Sequence, residues 1–90
     1  MADKNTMATE KLPLAKQLLA KSEDNKREIV EQAKKEILEL ANETADNGGR
    51  NITTEINYIA ETEIKDWLRK EEFKFMATSN GPVIEMEIWW

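Results

Sequence analysis

Few side chains in this sequence are able to do covalent or acid–base chemistry. The chain has no histidine and no cysteine. That removes the commonest general base, the commonest metal ligand, every thiolate and every disulfide. A serine nucleophile needs a positioned base beside it. Ser22 reads as a helix cap and Ser79 as a turn residue, and neither can have a histidine partner. Two carboxylate pairs remain, Glu61-x-Glu63 and Glu85-x-Glu87. In a strand the second spacing puts both groups on one face, an arrangement that suits a hard cation or a glycosidase-like dyad. No cleft-forming pattern surrounds Glu85 and Glu87, however, and Lys74 is placed to neutralise one of them. The pair therefore reads as a solvated sheet face. Gly48-Gly49 lacks the lysine-bearing motif that makes a glycine loop a phosphate cradle. No loop is rich enough in aspartate to ligate a metal. The expectation is a protein that is not an enzyme, with no cofactor and no metal.

The carboxylates then matter as charge. The chain holds 13 basic and 18 acidic residues, a net −5. Residues 1–21 carry Lys4, Lys11, Lys16 and Lys21 against Asp3 and Glu10, a local +2, which leaves residues 22–90 at −7. An acidic body repels nucleic acid and anionic membranes and attracts basic proteins. The competing explanation is that acidity only keeps a small domain soluble. No apolar run approaches the ~20 residues of a membrane span. The first residues, Met1 to Thr6, lack the apolar stretch of a secretory signal, so a cytoplasmic location is expected. Ninety residues make at most one domain. Small domains without staples often gain stability by oligomerising.

The elements that position these groups follow from periodicity. Residues 1–8 are polar and unpatterned and predict a flexible tail, leaving 9–90 as a single domain. A short helix is expected from about Pro13 to Lys21, with Leu14, Ala15, Leu18 and Leu19 on one face. Ser22 then reads as the N-cap of a long helix, with Glu23 and Asp24 in its first turn. Ile29, Val30, Ala33, Ile37, Leu40 and Ala41 form its stripe, and Asp46-Asn47-Gly48-Gly49 ends it. Asn51 or Thr53 would cap a second long helix running to about Lys70, with Ile52, Ile56, Ile59, Ala60, Ile64, Trp67 and Leu68 inward. Glu63 falls within that stripe. Two readings fit: it reaches solvent at the stripe's edge, or it meets a buried partner such as one across a dimer interface.

After Lys70 the period changes from 3.6 to 2. A hairpin centred on Asn80-Gly81 pairs Ala77 with Ile84, Phe75 with Met86 and Phe73 with Ile88 on one face. Lys74 then meets Glu87, and Thr78 meets Val83, on the other. Pro82 lacks an N–H to close a two-residue turn there, which favours a wider turn in the same register. Trp89 and Trp90 end the chain. One reading has one of them covering the core and the other on the surface; the alternative joins both with Met76 and Val83 in a dimer or partner surface. The fold class is α+β: two long amphipathic helices plus a short N-terminal helix, packed with a C-terminal antiparallel β-hairpin.

The run Ile64-Lys65-Asp66-Trp67-Leu68, the strand Phe73-Lys74-Phe75, and the turn Asn80-Gly81-Pro82 returning into Val83–Trp90 resemble the tail of many small phage-encoded proteins. The likeness covers roughly the last third of the chain. With its size and acidity, the chain is similar to phage host-takeover proteins, and most specifically to acidic inhibitors of the bacterial nucleoid protein HU. That resemblance implies a DNA-mimicking inhibitor, a homodimer acting in the host bacterial cytoplasm on a basic HU-like protein, without binding nucleic acid or membrane itself. The carboxylates expected to stand in for phosphates are Glu28, Glu31, Glu39, Glu55, Glu61 and Asp66, with Glu85 and Glu87 second. A second expectation is a scaffold or assembly module that binds through the apolar hairpin and the terminal tryptophans. A third and weaker one is a winged-helix DNA reader, although the acidic residues of its recognition helix argue against it.

Overall fold

A computed structural model describes residues 12–90, so the tail expected over residues 1–8 lies outside the described residues. The architecture is α+β: one long helix, one short helix and a three-stranded antiparallel sheet. The chain runs through α1 (Leu14–Asp46), β1 (Asn51–Asn57), a 3₁₀ turn (Tyr58–Ala60), α2 (Glu61–Lys70), β2 (Lys74–Asn80) and β3 (Val83–Trp89).

Helix α1 is unbroken for 33 residues, so the short helix expected from Pro13 to Lys21 is part of it and Ser22 is not a cap. Between Pro13 and Asn47 there is no glycine or proline. Leu, Ala, Lys and Glu dominate, and one interior serine costs only a few tenths of a kcal/mol, less than a break and a second nucleation. The helix ends in a Schellman motif: Gly49 N–H donates to Thr44 O at 2.8 Å and Gly48 N–H to Ala45 O at 2.9 Å. Gly48 holds the left-handed conformation this requires, at φ 85.

Residues 51–57 form a strand, which corrects the expected helix start at Asn51 or Thr53 and shortens the second helix to Glu61–Lys70. Ile52 and Ile56 are four residues apart, a spacing that puts them on one face at either period. Ile52, Thr53, Thr54 and Ile56 are all β-branched, and the open edge of a hairpin was available to pair with them. Asn57 then stops the strand, its side chain accepting from Ile59 N–H at 2.9 Å.

β3 is the central strand, in the order β1-β3-β2. The hairpin register is two residues from the expected one: Ala77 opposes Met86, Phe75 opposes Ile88, and Asn80 opposes Val83. Lys74 therefore faces Trp89 instead of Glu87, and Thr78 faces Glu85 instead of Val83. A shift of two preserves the sorting of faces, which is why periodicity alone did not reveal it. The turn is the tight pair Gly81-Pro82, with Gly81 at φ 71. Glycine at the first position and φ-restricted proline at the second suit a type II′ turn, whose closing N–H comes from Val83 and not from proline.

The inner sheet face buries Ile52, Ile56, Ile84, Met86 and Ile88 against Val30, Ala33 and Ile37 of α1 and Ile64 and Leu68 of α2. Phe73 stacks edge-on to Trp90 at 6.1 Å between ring centroids and lies 6.2 Å from Trp67, closing one end of the core. The last residue is fastened by reciprocal bonds, Trp90 N–H to Arg50 O and Arg50 Nε to Trp90 O. The radius of gyration is 18.2 Å, against roughly 12 Å for a compact chain of this size. The excess comes from α1, whose first turns run past the sheet with no buried residue before Val30.

Candidate functional site

The outer face of the sheet carries no helix. Along β3, Val83, Glu85, Glu87 and Trp89 alternate outward, with Thr53, Glu55 and Asn57 on β1 and Lys74, Met76 and Thr78 on β2 beside them. In the register, Glu55 lies directly opposite Glu85, and Glu87 lies between Thr53 and Met76. All three glutamates are exposed, and among the described residues none has a basic group within 4.0 Å. Like charges directly opposed on a sheet are destabilising, by an amount within the 0.2–1 kcal/mol range of such pairs.

Glu55 also lines a second feature. An open groove of about 660 Å³ runs between α1 and the β1 edge, with Ile29, Ala33 and Ile56 among its apolar lining and Glu28, Glu31, Glu36 and Glu55 as its acids. Lys35 is its only base. Through Glu55 the groove acids connect to Glu85 and Glu87 on the sheet face, so the negative charge forms one band on the β1 side of the molecule.

The α2 flank differs. There Lys26 meets Glu63 at 2.8 Å, Lys34 meets Glu31 at 3.4 Å, Lys65 meets Glu61 at 2.6 Å and Arg69 meets Asp66 at 3.1 Å. Lys34 also sits over the Trp67 ring, 5.8 Å from its centroid. Glu63 thus finds its partner within the chain, on α1. The Lys26 ammonium first, and then Glu63's own backbone amide in the first turn of α2, hold its carboxyl below the ordinary 4.5.

Of the residues expected to bind a partner, Glu28, Glu31, Glu55, Glu85 and Glu87 are brought together on this band, Glu31 with Lys34 beside it. Glu61 and Asp66 are not: they lie on α2, each beside a cation. Glu39 is exposed further along α1 and lines none of the groove. Glu36 belongs to the groove and was missed, although two i,i+4 steps lead to it from Glu28 through Gln32 along one ridge of the helix. Met76, Val83 and Trp89 share the outer sheet face, Met76 being 62% exposed. Trp90 does not join them, because it points to the inner side and packs on Phe73. The DNA-reading helix expected over 52–70 is interrupted by β1.

Among the described residues no group of three or more acidic side chains is arranged to hold a metal ion. No helix among them is long and apolar enough to cross a membrane. Comparison with protein families, with characterised proteins and with solved structures gives no match.

Proposed function

We propose that this is a non-enzymatic interaction protein whose acidic band binds and inhibits a basic DNA-binding protein by standing in for DNA charge. The observation that carries this reading is the unneutralised trio Glu55, Glu85 and Glu87 on an open sheet face, continuous with the groove acids. Opposed carboxylates cost stability, and a protein selected only for solubility has many cheaper places to put them. A partner that grips phosphates with lysine and arginine would be drawn by the same field and would shed the same counterions. The resemblance of the chain's tail to phage host-takeover proteins suggests an HU-like nucleoid protein of the bacterial host as that partner, with the host cytoplasm as the setting.

The test is displacement of duplex DNA from HU. The protein should release DNA at low salt and lose ~10-fold or more in potency as salt rises several-fold. No displacement at low salt, or potency indifferent to salt, rules the reading out.

A second reading is supported by the exposure of Met76 beside Trp89 and Val83: an assembly module docking through the apolar part of this face. Trp89→Ala separates the two. Loss of partner binding that leaves the salt dependence unchanged favours assembly.

A further inference from the structure

The first two turns of α1, residues 14–21, run about 12 Å ahead of the α1 residues that meet the body, and they are apolar where an isolated helix should be polar. Leu14, Leu18 and Leu19 are 75%, 62% and 56% exposed. Eleven residues are about three helical turns, so Leu18 lies on the side of Ile29 and Leu19 on the side of Val30. The arm therefore continues the stripe that the body buries, with nothing among the described residues facing it. Its charges are Lys16 and Lys21 in the turns that hold these leucines. The groove beside β1 is complementary in both respects: an apolar floor of Ile29, Ala33 and Ile56, with acids outnumbering bases four to one.

We infer that a second copy of this chain fills that groove: the α1 arms of two protomers pair antiparallel, each arm lying in the other's groove about a two-fold axis. Centred between Glu23 and Asp24, this pairing sets Leu18 over the partner's Ile29, Leu14 over the partner's Ala33, and Lys16 beside the partner's Glu31. It also brings Lys21 near the partner's Lys26, whose charge is already met by Glu63. Every contact occurs twice, as an isologous interface requires. The occupant is identified by charge: the arm is the basic part of an acidic chain, and the groove is the acidic flank of its own helix. The groove acids Glu28, Glu31, Glu36 and Glu55 lie within or beside the contact, so the dimer leaves a basic partner the outer sheet face, where Glu85 and Glu87 stay open.

Light scattering on the full chain tests it. At ~100 µM, where a micromolar dimer is almost fully formed, the mass should be twice 10.4 kDa. The double variant Leu14→Glu with Leu18→Glu should return to a single chain with its circular dichroism retained, because both leucines are exposed in the monomer. Lys16→Glu should weaken dimerisation ~5-fold or more, and adding Glu31→Lys should restore it by swapping the pair. A monomer at that concentration overturns the inference, including one whose arm binds phosphatidylglycerol vesicles instead. So does a dimer that survives the leucine substitutions, which would place the interface elsewhere.

Discussion

Glu55 and Glu85 oppose each other across the β1–β3 ladder with no cation among the described residues to separate them. Replacing either with glutamine removes a like-charge contact while keeping size and hydrogen-bonding capacity. Glu85→Gln is therefore expected to raise stability by a few tenths of a kcal/mol, read as a higher urea midpoint at unchanged slope, while weakening any basic partner. Gain of stability with loss of binding is the signature of a residue kept for function. The Lys26–Glu63 pair behaves oppositely. Because the folded carboxyl sits below the ordinary 4.5, the stability it contributes is present above that pH and is lost as pH falls through the lower folded value. Lys26→Met removes the main cause, so its stability should decline less steeply below pH 4.5 than that of the parent chain. Urea melts of both proteins at several pH values would show it. At this scale the sequence marked Glu63 as anomalous but was unable to name Lys26, which is 37 residues away and reaches it only once α1 lies alongside α2.

At the scale of elements, two helix ends use the same device with different residues. α2 closes with Phe73 N–H on Leu68 O at 2.8 Å and Glu72 N–H on Arg69 O at 3.1 Å, which places Glu72 at φ 66. A side chain there costs about 1–2 kcal/mol relative to glycine. Glu72→Gly should stabilise by about 1 kcal/mol in denaturant melts. Gly49→Ala should do the reverse, because its Cβ would meet Thr44 Cγ2 at 2.5 Å and Thr44 O at 3.2 Å. The stop after α1 was legible, since Asp-Asn-Gly-Gly has few other uses. So was the inward set Phe75, Ala77, Ile84, Met86 and Ile88, whose alternation survives a register shift of two. Two elements were not legible. β1 was hidden because Ile52 and Ile56 satisfy both periods, and only the hairpin edge that pairs with them decides in favour of a strand. The continuity of α1 was hidden because Ser22 followed by two acids has the look of a cap, while the decisive fact is the absence of anything to break the helix.

The whole molecule divides into a packed body and a projecting arm. Among the described residues, all buried apolar side chains lie between Val30 and Ile88, so a chain beginning at Lys21 should retain the sheet, the Phe73–Trp90 contact and most of its unfolding slope in urea, while losing self-association. The carboxylates divide as well. Those on α2 are matched with cations, as is Glu31 of the groove by Lys34, whereas among the described residues Glu28, Glu36, Glu55, Glu85 and Glu87 have no cation within 4.0 Å. This segregation was legible only as a net charge, since the sequence gives the sum and the topology decides which acids end as neighbours. Glu85 and Glu87, ranked last from the sequence, move to the centre because β1 brings Glu55 beside them. Glu61 and Asp66 drop out because Lys65 and Arg69 sit one helical turn on.

Calorimetric titration of an HU-like protein against two charge-neutralised variants, at matched low salt, separates a coherent acidic face from mere net charge. Neutralising the sheet face with Glu55→Gln, Glu85→Gln and Glu87→Gln should weaken binding ~10-fold or more, about 1.4 kcal/mol per tenfold. Neutralising the α2 flank with Glu61→Gln and Asp66→Asn should leave the affinity within about twofold, because those acids are already paired. Equal losses from the two variants, or no loss from the first, would contradict the assignment of the acidic sheet face as the binding surface.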